Sequence, residues 1–353
     1  MKRNLLALAV GAAIVLPGVA LADAATVYGR MDMSLDFVSA DIDDDTATED
    51  SGSNWAVTSN ASRFGVKGDA ELGHGLTAIY KMEWQVSGDS GSGSTTDLTT
   101  RNRYVGLMGG FGTVKLGGMD TPLKASQGKF DLFDNHAADI ASISEGENRE
   151  GNLIQYSSPK IADMLSLNVA FQPGEENEAG GSCSGGDVND SEDCSDGLTD
   201  GISASAVLNT GAFYGALAVD SNIDSRDTLR AVGVLTIGKI QLGGLLQTSE
   251  MNDDRIVTNA AEPKETTIAA NGAVKIGKTK LKGQIGLRTI DHDVDDVDDS
   301  KQTLIAFGAE HHFTKQTQVY AEYTNFSVKD NGSTTPQNDP SIAQLAVGIQ
   351  HKF

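Results

Sequence analysis

Apolar and polar residues alternate along most of the chain, in segments of about ten residues or more. In residues 26–39 the apolar side chains fall on one face of a strand, and the charged or hydroxyl side chains fall on the other. Such a strand is long for a globular protein, but it suits a tilted membrane strand of about 9–11 residues with short extensions. The apolar face holds Val27, Met31, Met33, Leu35 and Phe37, and the polar face holds Tyr28, Arg30, Asp32, Ser34 and Asp36.

The two-residue period recurs to the end of the chain, and the connections alternate in length. Those at 209–211, 238–239, 277–278 and 314–317 are short, whereas those at 173–199, 251–264, 292–300 and 330–340 are long and acidic. This alternation is typical of an antiparallel up-and-down β-barrel, and a Greek-key sandwich would not keep it so evenly. The chain is therefore predicted to be all-β, a barrel of about sixteen strands, a size that leaves an aqueous channel. The predicted strands are 26–39, 60–68, 76–87, 100–107, 113–118, 152–159, 164–172, 200–210, 212–220, 228–238, 240–250, 265–277, 279–291, 301–313, 318–329 and 341–353.

Residues 100–159 differ from the rest of the chain. A strand, a glycine-rich turn and a returning strand are followed by a long acidic segment around 130–151, which precedes the next strand. Strand parity predicts that Arg101, Arg103 and Lys115 share one face, while Tyr104 and Leu116 point the other way. A basic wall followed by an acidic loop predicts a pore and a loop that narrows it.

The N-terminus has the pattern of an export signal. Lys2 and Arg3 precede a broken apolar run that ends in small residues. We expect a cleaved signal peptide over residues 1–22, with cleavage after Ala22 or alternatively after Ala24, and a barrel domain over 23–353.

Net charge narrows the function. A net charge of −22 argues against a nucleic-acid partner, which would require a basic face. Beyond the export signal no apolar run approaches the roughly eighteen residues of a membrane helix. A soluble exported β-protein and an outer-membrane barrel, whose apolar signal is diluted by alternation, both fit these observations.

Four segments resemble the general diffusion porins of the Gram-negative outer membrane. They are SRFGVKG (62–68), RNRYVGL (101–107), FGTVKLGG (111–118) and REGNLIQYSSP (149–159). The resemblance implies a homotrimer in the outer membrane, in contact with lipid and lipopolysaccharide, through which ions and small hydrophilic solutes diffuse passively without a cofactor or catalysis. It also implies that the segment after the fifth strand folds inward as a constriction loop, and that Phe353 is an assembly signal read by the barrel-insertion machinery.

The resemblance assigns the residues of the constriction. A basic wall and an acidic loop would set a transverse field that disfavours apolar solutes. Relatives often have an arginine at the position of Gly118, so the wall is one arginine shorter here, and the surplus of acids favours cations. The wall comprises Arg30, Arg63, Arg101, Arg103 and Arg149, and the loop acids are Asp131, Asp134, Asp139, Glu145 and Glu147.

Two further features suggest binding or cross-linking chemistry. Cys183 and Cys194 lie in one long loop of an exported chain and are expected to form a disulfide, since without a nearby histidine they make a poor zinc set. The acidic runs 41–50 and 291–300 lack the order of an EF-hand, so solvated loops are favoured over specific Ca²⁺ sites.

Other functions stay open as alternatives. A solute-selective channel for an oxyanion or a sugar could use the same wall, and a non-transport adhesion or structural barrel would fill its lumen with loops. A secreted β-enzyme is disfavoured, because the serine-protease-like run GDSGSG (88–93) lacks the His and Asp segments of that family.

Overall fold

The computed structural model describes residues 25–41, 52–91, 97–174, 197–252, 263–291, 299–329 and 339–353. The expected signal peptide and the Cys183–Cys194 pair lie outside these ranges, as do most residues of the two acidic runs considered for Ca²⁺. Within the described ranges no helix has the length and apolarity needed to cross a bilayer.

Almost all regular structure is β-strand. The helical pieces among the described residues are one turn of α-helix, α1 (Pro122–Ala125), and a short 3-10 helix at Ile140–Ser142. The strands are β1 (Thr26–Asp41), β2 (Gly52–Ser59), β3 (Arg63–Gly73), β4 (Leu76–Val86), β5 (Leu98–Gly109), β6 (Gly112–Asp120), β7 (Arg149–Ser157), β8 (Leu165–Gln172), β9 (Gly201–Asn209), β10 (Phe213–Ile223), β11 (Arg226–Ile237), β12 (Ile240–Met251), β13 (Lys264–Ile276), β14 (Thr279–Asp291), β15 (Ser300–His312), β16 (Thr317–Lys329) and β17 (Ser341–Lys352).

The strands close into a barrel. From β3 onward each strand pairs antiparallel with the next, and β17 returns to pair with β1 along its length. Strands β2 and β3 both pair with β1, β2 with its second half and β3 with its first half. They therefore form one barrel strand broken at residues 60–62, and the barrel has sixteen strands, as predicted. The sequence pattern missed β2, since no predicted strand lies between residues 39 and 60.

The C-terminal residue completes the closure. Phe353 exchanges two backbone hydrogen bonds with Gly29 of β1, of 2.9 and 3.0 Å. Its ring lies over Gly29, and a Cβ added to that glycine would collide with it. A terminal aromatic residue thus covers the seam at which the first and last strands meet; its role as an assembly signal stays a prediction.

Polar and apolar side chains are sorted in the sense expected for a barrel in lipid. On β1 the polar residues Arg30, Asp32 and Asp36 are buried toward the interior, whereas Leu35 is 49% exposed. On β10 Ala216 is buried and Leu217, the next residue, is 63% exposed. The outer surface is therefore apolar and the inner surface mostly polar.

The exception on the inner surface is an apolar patch that receives the loop between β6 and β7. This loop, residues 121–148, enters the barrel, and its side chains pack against inward-facing residues of β10–β15. We refer to this contact as the docking cluster. From the loop it contains Phe130, Leu132, Phe133, Ala138, Ile140 and Ile143, and from the wall Ala216, Val232, Val234, Leu245, Ala269, Leu304 and Ala306.

Candidate pore constriction

Three of the predicted wall arginines come together on the side of the lumen opposite the docking cluster. Arg30 of β1 is paired in register with Arg63 of β3, and the charges of Arg30 and Arg101 both act on Arg63. Arg30 donates hydrogen bonds to the carbonyl oxygens of Asn60 (3.0 Å) and Ala61 (3.4 Å). These carbonyls lie in the break between β2 and β3, so the irregularity of that strand positions the first arginine.

Arg101 and Arg63 differ in how their charge is balanced. Arg101 donates to Glu83 (3.0 Å) and to Gln85 (3.0 Å), and Glu83 also pairs with Lys81 at 3.2 Å. Arg63 has no hydrogen bond or ion pair with any described residue. The positive charge least compensated by neighbours in this group is therefore that of Arg63.

Arg103 does not belong to this wall, and the prediction that it shares a face with Arg101 is wrong. A bulge in β5 lets Met82 pair with Arg103 and Trp84 with Thr100. Paired residues of antiparallel strands project to the same side, so Arg103 lies on the outer face with Met82, which is 46% exposed. Tyr104, predicted to point outward, faces the lumen instead, where the Nζ atom of Lys115 lies 5.1 Å from its ring centre.

Arg149 lies in a separate network at the start of β7. It forms an ion pair with Asp120 (2.8 Å) and donates to Asn102 (2.9 Å). Asp120 and Arg149 are the last residue of β6 and the first residue of β7, the two strands that the loop connects. This ion pair joins the two ends of the constriction loop.

Two of the five predicted loop acids stabilise the loop itself. Asp131 accepts hydrogen bonds from the backbone N–H groups of Phe133 (2.8 Å) and Ile140 (3.2 Å), and Asp139 accepts from those of Asn135 (2.6 Å) and Ala141 (2.9 Å). Burial and the nearby charge of Asp139 raise the pKa of Asp131 well above its usual range. These carboxylates replace backbone partners that a loop without regular structure lacks.

Two more acids bind basic residues that the sequence analysis did not single out. Glu147 lies 2.6 Å from Arg230 of β11, and Glu145 lies 2.5 Å from Arg288 of β14. Burial raises the pKa of Glu147, although the charge of Arg230 acts in the opposite direction. Residue alternation along β11 and β14 could have identified both arginines from the sequence, because each lies on the polar face of its strand.

Asp134 is the fifth predicted loop acid, and its surroundings differ from those of the other four. It is exposed, it has no hydrogen bond or ion pair with a described residue, and its charge acts on Arg63. Arg63 on the wall and Asp134 on the loop are therefore charges of opposite sign that form no ion pair with a described residue.

His136 holds the loop to the strands beside the seam, and the sequence analysis missed it. Its Nδ1 atom lies 2.8 Å from Glu322 of β16, its Nε2 atom lies 3.4 Å from Asp32 of β1, and its ring packs against Tyr320. The loop is thus held in two ways, by the apolar docking cluster and by the hydrogen bonds of His136. The β1–β6 wall, which carries Arg63 and Arg101, contributes no residue to the docking cluster.

A closed sixteen-strand barrel, apolar outside and charged inside, with a loop held across its lumen, defines an outer-membrane channel protein.

Comparison with known proteins leads to the same class. A family profile described as "Gram-negative porin" matches residues 7–331. The chain is 27% identical over its full length to outer membrane porin protein 32 of Delftia acidovorans, and the alignment covers all of that protein. It is 28% identical to major outer membrane protein P.IB of Neisseria gonorrhoeae, but that match spans only about half of either chain (51%).

Solved structures show the same fold. An anion-selective porin from Comamonas acidovorans superimposes with a TM-score of 0.68 at 22% identity, over 94% of this chain and 99% of that one. The chain belongs to the Gram-negative porin family, and it is a protein of the outer membrane. The resemblance found in the sequence is confirmed.

Proposed function

We propose that this protein forms a water-filled channel for the passive diffusion of ions and small hydrophilic solutes, without catalysis or a cofactor. The observation that carries the proposal is the loop that enters the barrel and is held there by the docking cluster and by His136. Its apolar residues face β10–β15, and its free acid faces Arg63 on the opposite wall. A passage with polar walls admits hydrated solutes, and the transverse charge pair orders water and raises the cost of passage for apolar ones.

Ions of opposite sign take different sides of this passage. On the β1–β6 wall Arg63, Lys67 and Lys115 form no ion pair with described residues, and the two lysines lie over the rings of Tyr28 and Tyr104 at 5.2 and 5.1 Å. This wall favours anions and the loop side favours cations near Asp134. The Comamonas relative is named as anion-selective; the unpaired cations of this wall support a larger anion contribution here than the net charge of the chain suggests.

The functional unit that we propose is a homotrimer. A solved porin of Vibrio cholerae, 16% identical to this chain, is described as a trimer form. Each subunit would keep its own pore, because the constriction is built entirely from one chain.

The test is electrical and osmotic. We expect the purified protein in a planar bilayer to give large, steady conductance steps that scale with salt concentration. Vesicles that contain it should swell in isotonic small sugars at rates that fall with sugar size. No conductance, or a current that one solute saturates at low concentration, would contradict a general diffusion pore and favour a solute-selective channel.

A further inference from the structure

Basic residues gather at one edge of the barrel, at the end where the connections are short. The turns between β11 and β12, β13 and β14, and β15 and β16 are neighbours along this rim. They carry Lys239, Lys275, Lys278 and Lys315, all exposed. Short turns face the periplasm in bacterial outer-membrane barrels, so this rim lies at the inner leaflet.

The turns are tied to one another and leave a cavity between them. The Nζ atom of Lys278 donates to the carbonyl oxygen of Phe313 (3.1 Å), and the backbone N–H of Lys275 donates to the carbonyl oxygen of Lys239 (2.9 Å). A cavity of about 420 Å³ lies between the β13–β14 and β15–β16 turns. Its lining includes Lys275, Lys278, Lys315, His312 and Phe313.

The positive charge of this rim is not neutralised by the protein. None of the four lysines forms an ion pair with a described residue. Glu310, which lies 3.9 Å from His312, is bound to Lys282 deeper in the lumen. In a chain with a net charge of −22, four uncompensated lysines on adjacent turns form an exceptional surface.

The cavity borders the apolar outer surface of the barrel. Phe313 of its lining is 54% exposed, and its ring packs edge-on against His311; Ile276 and Leu281, on the two strands of the adjoining β13–β14 hairpin, are 60% and 43% exposed. Lysines at the edge of an apolar belt reach the level of lipid phosphates, and basic pockets at membrane interfaces bind anionic head groups. The site therefore offers cations for a phosphate and an apolar surface for an acyl chain.

We propose that this periplasmic rim binds an anionic glycerophospholipid of the inner leaflet, with the head-group phosphate among Lys275, Lys278 and Lys315 and an acyl chain along Ile276 and Phe313. The proposal is independent of conduction, because none of these residues lines the constriction.

The test compares lipid retention by charge-matched variants. Full-length protein in detergent is mixed with equimolar phosphatidylglycerol and phosphatidylcholine, and the lipid that stays bound is counted by native mass spectrometry. One variant carries Lys275→Gln, Lys278→Gln and Lys315→Gln. The control carries Lys264→Gln, Lys301→Gln and Lys329→Gln, which removes three exposed lysines from the opposite end of the barrel.

Wild type and control should prefer phosphatidylglycerol, and the rim variant should lose that preference by at least about tenfold, since a lysine at an anionic surface contributes about 1 kcal/mol, or about fivefold. Equal preference in rim variant and control would overturn the proposal. Displacement of the lipid by millimolar inorganic phosphate would also overturn it, because the site would then recognise phosphate alone. If the triple variant does not fold, Lys315→Gln alone, in an exposed turn, should still reduce the preference about fivefold, and no reduction would refute the site.

Discussion

The Nδ1 atom of His136 lies 2.8 Å from a carboxylate oxygen of Glu322, and this contact ties the constriction loop to β16, the strand next to the last strand of its docking cluster. Glu322 also pairs with Lys282 (2.7 Å) of β14. The loop is therefore attached both by buried charges and by the apolar packing of the docking cluster. Each attachment can be weakened separately.

Loop attachment through His136 should depend on pH. Burial acts to lower the pKa of His136, but its hydrogen bonds to Asp32 and Glu322 outweigh burial and raise the pKa to about 9 from an ordinary value of 6.5. A raised pKa means that the charged form stabilises the fold, fully below about pH 6.5, with the contribution lost as pH rises through about 9. We expect the thermal unfolding midpoint and the steadiness of the open current to decline across that window.

The control for this effect is His136→Gln, which should be less stable at pH 6 and should lack the decline between about pH 6.5 and 9. If wild type and variant lose stability in parallel over this interval, the titrating group lies elsewhere.

Gly286 of β14 provides room for the loop. A Cβ at this position would collide with Ile143, a fully buried member of the docking cluster. Gly286→Ala should cost about 1–3 kcal/mol by overpacking and should push the loop toward the β1–β6 wall, which lowers single-channel conductance. Gly244→Ala is the matched control, because a Cβ there meets nothing within 4 Å. Unchanged conductance in Gly286→Ala would show that the loop position does not set the pore width.

Arg63 and Arg103 lie on opposite faces of the barrel wall, Arg63 on the lumen side and Arg103 on the outer side. Arg63→Ala, alone or together with Arg101→Ala, should move the reversal potential in a salt gradient toward cation preference, because it removes an uncompensated positive charge from the narrow passage. Arg103→Ala removes the same charge from the outer face and should leave the reversal potential unchanged. The same shift in both single variants would contradict the strand bulge that turns Arg103 away from the lumen.

Arg230 is a fully buried charge that holds the loop. Its side chain is 0% exposed and binds Glu147, Gln247 (2.6 Å) and the carbonyl oxygen of Glu145 (2.8 Å). Arg230→Met leaves Glu147 buried without its partner and should destabilise the protein by about 3–5 kcal/mol. Adding Glu147→Gln should recover part of that loss, measured as the unfolding free energy in a double-mutant cycle.

The comparison for this cycle is Arg226→Met, which breaks a pair with Glu265 and should cost less than Arg230→Met, because Glu265 keeps Arg288 as a second partner. Equal losses in Arg230→Met and Arg226→Met, or strict additivity with Glu147→Gln, would mean that the Arg230–Glu147 contact contributes little.

The sequence by itself determined the barrel. A side-chain period of two residues, repeated in about sixteen segments with alternating short and long connections, leaves few other ways to satisfy every backbone hydrogen bond in lipid. It also located the constriction loop and placed Arg30, Arg63 and Arg101 on the inner face. These results follow from local rules, because neighbouring residues of a regular strand always point to opposite sides.

Only the tertiary structure decided which charges are free. One extra residue in β5 reverses the parity after it, so Arg103 leaves the wall and Tyr104 joins it, and no local pattern marked that bulge. The loop acids have different roles: two accept backbone hydrogen bonds, two form ion pairs with Arg230 and Arg288, and Asp134 pairs with no described residue. The sequence could not assign these roles, because Arg230 and Arg288 lie about 80 to 140 positions away from their partners in the chain. Charge compensation depends on distance in space, and strand periodicity carries no information about which distant residues meet across the lumen.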